Sequence, residues 1–223
     1  MKALKLSFVF CVVALVAGCA TTSNPDRLDA FHDASPKSIL VVPPVNMSTD
    51  VQSTTSLLAT LPFYLAEKGY YVFPVNTVKT LLEYEGYYEP AEVHAAPPEQ
   101  LANLFKADAI LYVTIHEWTS KYMLLTTTTE VDFEYRIVNA DGAELWSARQ
   151  RMTYTPDNNS TGNPLADLLV MAVTAAAERA APNYLPLTRQ ANAAVFYGVN
   201  GLPPGPYSPT YDQYYKGLKA AQK

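Results

Sequence analysis

The position of Cys19 in the sequence predicts that its thiol takes part in a chemical reaction. Cys19 directly follows the short run Leu15-Val16-Ala17-Gly18 at the end of an apolar segment. Small residues before a cysteine leave the backbone accessible to a peptidase, and the sulfur supplies the nucleophile that accepts an acyl group. The spacing therefore predicts that Cys19 is lipidated and that the chain is cut immediately before it.

The segment before Cys19 has the layout of an export signal. Lys2 and Lys5 supply positive charge, and Leu6–Ala17 is apolar except for one serine. This run falls short of the roughly 20 residues that a membrane-spanning helix needs. Residues 1–18 are similar to a lipoprotein signal peptide that ends in a lipobox. The alternative is an ordinary secretory signal in which a cysteine happens to lie near the cut.

The residue after the thiol bears on the destination of the protein. It is Ala20 and not aspartate, which favours the outer membrane by analogy with the sorting rule of bacterial lipoproteins. Two or more acyl chains, at roughly 0.8 kcal/mol per buried methylene, hold a protein stably on a bilayer. The formal charge of −5 becomes −7 once Lys2 and Lys5 are removed. That acidity argues against nucleic acid as a partner and leaves membrane attachment to the lipid.

Other reactive side chains form no recognisable catalytic set. His116-Glu117 lacks the second histidine of a metalloprotease helix, because Ser120 stands four residues after His116. No phosphate-binding loop, dinucleotide fingerprint or nucleophile elbow occurs in the sequence. Once Cys11 leaves with the signal and Cys19 carries lipid, no cysteine remains for a disulfide or a zinc site. We therefore expect no enzyme activity, no metal and no cofactor.

Residues 38–182 predict one α/β (α+β) domain with a mixed β-sheet flanked by helices. The predicted order is β-α-β-α-α-β-β-β-α, and Asp141-Gly142 predicts a hairpin between the last two strands. Strands are expected over 38–45, 70–75, 109–118, 122–138 and 143–154, with helices over 51–68, from 76, over 99–106 and over 163–182. Residues 86–98 are expected to form a loop.

The segments on either side of the domain have a different composition. Residues 19–37 are polar and predict a flexible tether from the lipidated Cys19. Residues 183–223 predict a Pro/Tyr-rich C-terminal tail, because closely spaced prolines favour extended backbone. The tail is expected to have no core of its own.

Two sets of residues are candidates for binding a partner. Four consecutive threonines favour an extended chain and predict an edge strand that pairs with a second chain; the alternative is an ordinary half-exposed strand. The tail tyrosines suit a protein interface, but they also suit a strap packed on the domain's own surface. The candidates are Thr126, Thr127, Thr128, Thr129, Tyr207, Tyr211, Tyr214 and Tyr215.

Several stretches together resemble a known family. They are the lipobox, S-I-L-V-V-P-P-V-N at 38–46, A-D-A-I-L-Y-V-T-I at 107–115 and the Gly-Pro-Tyr of the tail. The resemblance is to a family of bacterial lipoproteins of poorly defined role, known from a meningococcal surface antigen. Its members are encoded beside lipoproteins similar to the curli secretion channel, and its fold is similar to the N-terminal domain of the translocation protein TolB.

The resemblance implies a non-enzymatic accessory or assembly component of an envelope secretion or transport complex, on the outer membrane. Its domain would face the periplasm or the cell surface. The implied partners are the membrane, reached through the lipid anchor, and a curli-secretion-channel-like lipoprotein or another envelope protein. A homodimer is also possible. The alternatives are an envelope hydrolase acting on cell-wall material and a solute-binding lipoprotein of a transporter.

Overall fold

The computed structural model describes residues 28–123, 126–154 and 184–221. Its strands are β1 (Ser38–Val41), β2 (Val45–Asn46), β3 (Tyr71–Val72), β4 (Ala109–Met123), β5 (Thr126–Asn139) and β6 (Glu144–Tyr154). Its helices are α1 (Asp29–Ala34), α2 (Ser53–Glu67), α3 (Val75–Tyr84), α4 (Pro90–Ala95), α5 (Pro98–Phe105), α6 (Tyr184–Tyr197) and α7 (Tyr211–Ala221). The predicted signal peptide, Cys19 and the helix expected over 163–182 lie outside the described residues.

All six strands belong to one mixed sheet of order β3-β1-β4-β5-β6, in which β2 also pairs with β4. β1 lies parallel to β3 and to β4, whereas β4, β5 and β6 form an antiparallel meander. Gly142 has a φ of 81°, and the Asn139 Oδ1 accepts a hydrogen bond from the Ala143 N–H at 2.9 Å. The mixed sheet and the Asp141-Gly142 hairpin are therefore confirmed. A single sheet also differs from the two lobes that a solute-binding protein would need.

Helices cover both faces of this sheet. On one face, α2 and α6 pack over the predicted apolar side of β5, whose four alternate residues are all fully buried: Val131, Phe133, Tyr135 and Ile137. On the other face, α3, α4 and α5 pack over a second cluster that includes Leu40, Ile110 and Val138. The alternation of apolar and polar residues along β5 thus decides which residues reach the core.

A chain of buried hydrogen bonds links the sheet to the helices of the first face. The Tyr135 hydroxyl donates to Asn192 Oδ1 at 2.6 Å, and Asn192 Nδ2 donates to Thr60 Oγ1 at 2.9 Å. The Thr60 hydroxyl donates in turn to the Leu57 carbonyl at 2.7 Å. Each polar group in this chain has a partner, so β5, α6 and α2 are held in one relative position.

The predicted loop over 86–98 was wrong for Pro90–Ala95, which form α4. Glu89 and Glu92 make a capping box with each other's backbone, and Pro90 occupies the first helical position. A proline there loses no hydrogen bond, because the first amides of a helix have no partner inside it. The prolines that suggested a loop therefore mark the start of a helix.

The predicted flexible tether was wrong in its last part. Residues 29–34 form α1, and Phe31 is fully buried against the main core. Its ring meets the Tyr70 ring edge to face, with 6.3 Å between centroids. This aromatic contact fixes a short polar helix that could not be stable alone. The tether prediction for residues 19–27 lies outside the described residues.

The predicted boundary between domain and tail was also wrong. α6 begins at Tyr184, inside the predicted tail, and buries Leu187, Ala191, Val195 and Phe196 in the main core. Residues 184–221 are therefore two helices joined by a Pro-rich stretch, and the first helix belongs to the core of the domain.

Candidate interaction surface

The threonine run pairs along its whole length with Ser120–Met123 of β4. Thr129 is also paired on its other side with β6, because Tyr154, the last residue of β6, lies opposite Thr129. Thr129 is only 3% exposed, and its Oγ1 lies 2.8 Å from the Ser120 Oγ. The edge-strand expectation is therefore wrong at Thr129, since the return strand of the hairpin reaches this far. Partner contact at Thr126, Thr127 and Thr128 stays a prediction.

We call residues 199–208, between α6 and α7, the strap. Leu202 in the strap is 1% exposed and belongs to the main core. The Tyr70 hydroxyl donates to the Pro203 carbonyl at 2.7 Å, and the Trp146 indole N–H donates to the Asn200 carbonyl at 3.4 Å. This Pro-rich stretch folds back on the domain's own surface, which is one of the two arrangements that the sequence allows.

Two backbone hydrogen bonds fix the strap to the turn after α2. The Gly205 N–H donates to the Lys68 carbonyl at 2.7 Å, and the Tyr207 N–H donates to the Gly69 carbonyl at 3.0 Å. A Cβ atom at position 205 would lie 2.4 Å from the Gly69 carbonyl oxygen. Only glycine permits this approach of two backbones.

Three of the four predicted tyrosines belong to α7, and two of them, Tyr214 and Tyr215, pack with His32 of α1. The His32 Nε2 lies 3.1 Å from the Tyr214 hydroxyl, and its ring meets the Tyr215 ring edge-on at 5.6 Å. The Tyr211 and Tyr215 rings are 4.5 Å apart. Burial raises the pKa of Tyr215 to about 12 and lowers the pKa of His32. Tyr207, at 68% exposed, is the tyrosine of the set most open to a partner.

The polar side of the meander carries cross-strand pairs of opposite charge. Arg149 donates two hydrogen bonds of 2.9 Å to the Asp132 carboxylate. Arg151 Nε donates to the Glu130 carboxylate two residues further along each strand. The Arg149 guanidinium holds the pKa of the Asp132 carboxyl below its ordinary value. These pairs favour the observed register of β5 and β6.

His116 lies on this charged surface and not in a closed pocket. Its Nε2 lies 2.7 Å from Glu134 Oε2, and the two side chains are 27% and 50% exposed. Over residues 28–123, 126–154 and 184–221, no three His, Cys, Asp or Glu side chains are grouped to hold a metal ion. None of the helices in these ranges is long and apolar enough to cross a membrane.

Sequence reasoning missed two features of this surface. The Asp132–Arg149 pair could have been found, because a hairpin centred on Asp141-Gly142 sets the two polar stripes opposite each other. The second feature, the position of Lys68 beside the strap, could not have been found, because the residues of the strap lie far later in the chain.

Comparisons with known proteins agree with this fold. Residues 28–206 match the profile of the family described as Putative lipoprotein GNA1162-like. The Neisseria meningitidis serogroup B protein described as Putative lipoprotein NMB1124/NMB1162 is 37% identical over 163 residues, which are 72% of this chain and 75% of that protein. The crystal structure of lipoprotein GNA1162 from Neisseria meningitidis matches with a TM-score of 0.53 and 38% identity, over 66% of this chain and 100% of that one.

A more distant likeness is to a PelC dodecamer from Paraburkholderia phytofirmans. Its TM-score is 0.40 at 18% identity, over 69% of this chain and 90% of that one, and it says nothing about function. The family match includes α1, the whole described sheet, α6 and most of the strap, whereas Tyr207 and α7 follow it. The match over 28–206 confirms the resemblance seen in the sequence: the chain belongs to the GNA1162-like lipoprotein family.

Proposed function

We propose that this chain is an outer-membrane lipoprotein and a non-enzymatic accessory or assembly component of an envelope secretion or transport complex. The observation that carries the proposal is membership of a lipoprotein family in a chain whose Cys19 ends a lipobox-like sequence. Ala20 after the lipidated cysteine supports the outer membrane as the destination.

The distance from anchor to fold supports a role beside the membrane. Leu28, the first described residue, stands nine residues after Cys19. A chain of nine residues spans at most about 30 Å. Lipidation would therefore keep α1, and the α7 cluster packed on it, close to the bilayer. Such tethering raises the effective concentration of partners on the same membrane without requiring tight intrinsic affinity.

The partner in this proposal is a curli-secretion-channel-like lipoprotein or another envelope protein, and it contacts the C-terminal segment. Exposed aromatic and apolar side chains in the strap and at the end of α6 support this location: Tyr197 is 47% exposed, Val199 105% and Tyr207 68%. Tyrosine offers a large contact area at low entropic cost, which suits a protein interface. Thr126, Thr127 and Thr128 are a second proposed contact, and a second copy of this chain is the alternative partner.

A photo-activated crosslinking residue at position 207 tests this proposal in intact cells. The matched control is the same residue at position 84, because Tyr84 is 86% exposed but belongs to α3 on the opposite face of the sheet. We expect a discrete adduct from position 207 that is absent from position 84 and is lost when Cys19→Ser removes the anchor. Equal adducts from both positions, or none from position 207, would contradict the proposal.

A further inference from the structure

A groove of about 550 Å³ lies between the end of α2, the strap and α7. Its walls are mostly apolar and include Leu28, Val199, Leu202, Pro203 and Pro204. The residue after α2, Lys68, brings one positive charge into this lining. The groove thus combines apolar surface with a single cation, a combination suited to an amphipathic chain.

The ammonium of Lys68 has an aromatic ring beside it but no counter-ion. Its Nζ lies 5.8 Å from the centre of the Tyr197 ring, and Lys68 forms no ion pair within the described part of the chain. Burial alone lowers the pKa of this side chain. A partly desolvated cation without a carboxylate gains more than a solvated one when an anion binds.

Gly217 gives an independent indication of an occupant. It lies within α7 and lines the groove, and a Cβ atom there would meet nothing within 4 Å. Glycine destabilises a helix interior relative to alanine. No contact in the described structure requires glycine here, whereas an incoming chain that approaches the α7 backbone would require it.

The opening of the groove carries exposed apolar and aromatic side chains, as protein interfaces do. Val199 is fully exposed and lines the groove, and Tyr197 is half exposed and lies beside Lys68. The predicted mature chain carries a formal charge of −7, so a cationic groove is an exception on an acidic molecule. Charge complementarity of this kind selects an acidic partner segment.

We propose that this groove binds an extended acidic segment of a protein partner, with a carboxylate on Lys68 and the peptide backbone against Gly217. The inference rests on the proposed function, in which a partner is recruited to the C-terminal segment. It specifies the groove as the binding site and the contact between a carboxylate and the Lys68 ammonium as the interaction.

The test is fluorescence anisotropy with the purified full lipoprotein in detergent. The probes are two labelled octapeptides, one alternating valine with glutamate and one alternating valine with glutamine. We expect the glutamate peptide to bind at least tenfold more tightly, Lys68→Glu to abolish this preference, and Lys68→Arg to keep affinity within about threefold. Gly217→Ala should weaken binding at least fivefold without lowering the melting temperature of the free protein.

The charge control is Lys79→Glu, because Lys79 is exposed on α3 at the opposite face of the sheet. Loss of binding in Lys79→Glu equal to that in Lys68→Glu would overturn the proposal, and so would equal binding of the two peptides. Binding of phosphatidylglycerol vesicles by the Cys19→Ser protein that depends on Lys68, without peptide binding, would identify a lipid site instead. Dimerisation that Lys68→Glu abolishes, again without peptide binding, would identify a second copy as the occupant.

The two proposals fail in different experiments. Selective peptide binding without a crosslink at position 207 would leave the groove standing and remove the recruitment role. A crosslink at position 207 with no selective peptide binding would support the recruitment role and contradict the assignment of the groove.

Discussion

The side chain of Asn192 on α6 links a strand and a second helix. It is fully buried, its oxygen accepts from Tyr135 of β5, and its amide donates to Thr60 of α2. A buried polar group that loses its partner costs about 1–3 kcal/mol of the free energy of unfolding. Removing Asn192 would leave the buried Tyr135 hydroxyl without its acceptor, whereas the Thr60 hydroxyl would lose one donor and keep its bond to the Leu57 carbonyl.

Asn192→Ala should therefore lower the free energy of unfolding by about 2–4 kcal/mol, because a buried hydroxyl loses its acceptor and buried side-chain volume is lost as well. Urea unfolding followed by circular dichroism measures this change. The matched control is Asn103→Ala, because Asn103 is exposed on α5, and its effect should stay within about 0.5 kcal/mol. An effect of Asn192→Ala as small as the control would show that the buried chain of hydrogen bonds does not hold these elements together.

The Asp132–Arg149 pair predicts a pH dependence of known sign. Hydrogen bonds from Arg149 lower the pKa of Asp132 in the folded state below its ordinary value of 3.8. The ionised carboxylate therefore stabilises the fold above about pH 4, and that stability is lost as the pH falls through the folded-state pKa. The melting temperature of wild type should exceed that of Asp132→Asn at pH 6, and the gap should narrow towards pH 3. A gap that stays constant or widens on acidification would refute this role.

At the scale of elements, the strap is held by the close approach of two glycine backbones at 69 and 205. Gly205→Ala places a Cβ 2.4 Å from the Gly69 carbonyl oxygen, inside van der Waals contact, so one of the two backbones must move. We expect the strap to detach, with proteolytic cleavage within residues 199–210 at least tenfold faster than in wild type. Gly217→Ala is the control, because its Cβ meets nothing, and it should leave the cleavage rate unchanged. Equal rates for all three proteins would mean that this contact does not secure the strap.

Elements with a local signal could be predicted from the sequence. The alternation along β5 and the Asp141-Gly142 turn are set by neighbouring residues, and both were confirmed. α1, α4 and α6 were missed because their stability comes from contacts or positions that a local pattern does not reveal. Phe31 needs Tyr70, α6 packs into the core of the domain, and Pro90 stands at a helix start where it breaks no hydrogen bond.

The candidate site, like the fold, could be predicted only in part from the sequence. Tyr207, Tyr211, Tyr214 and Tyr215 were recognised by composition, but composition does not show which of them pack inward. Tyr214 and Tyr215 pack with His32, Tyr211 packs with Tyr215, and Tyr207 faces solvent, because α7 folds back on α1. Lys68 could not be recognised, since its groove forms only when the strap closes over the end of α2.

At the scale of the whole molecule, the end of the tether, the domain and the strap form one folded unit. Truncation after Val199 removes Leu202 from the core, and burial of such a side chain contributes about 1.5–3 kcal/mol. We expect that truncation to lower the melting temperature by at least about 5 °C. Truncation after Thr210 removes only α7, which buries no side chain fully, and should lower it by less than half as much. The reverse order would show that α7, and not the strap, completes the core.

In the proposed function, acylation of Cys19 places the folded unit at the membrane. Intact-mass spectrometry of the mature protein purified from the membrane fraction tests this most directly. We predict a chain that begins at Cys19 and carries the added mass of its acyl groups, and no such species from the Cys19→Ser variant. A mature protein with an unmodified amino end, or one that begins beyond residue 19, would contradict the account.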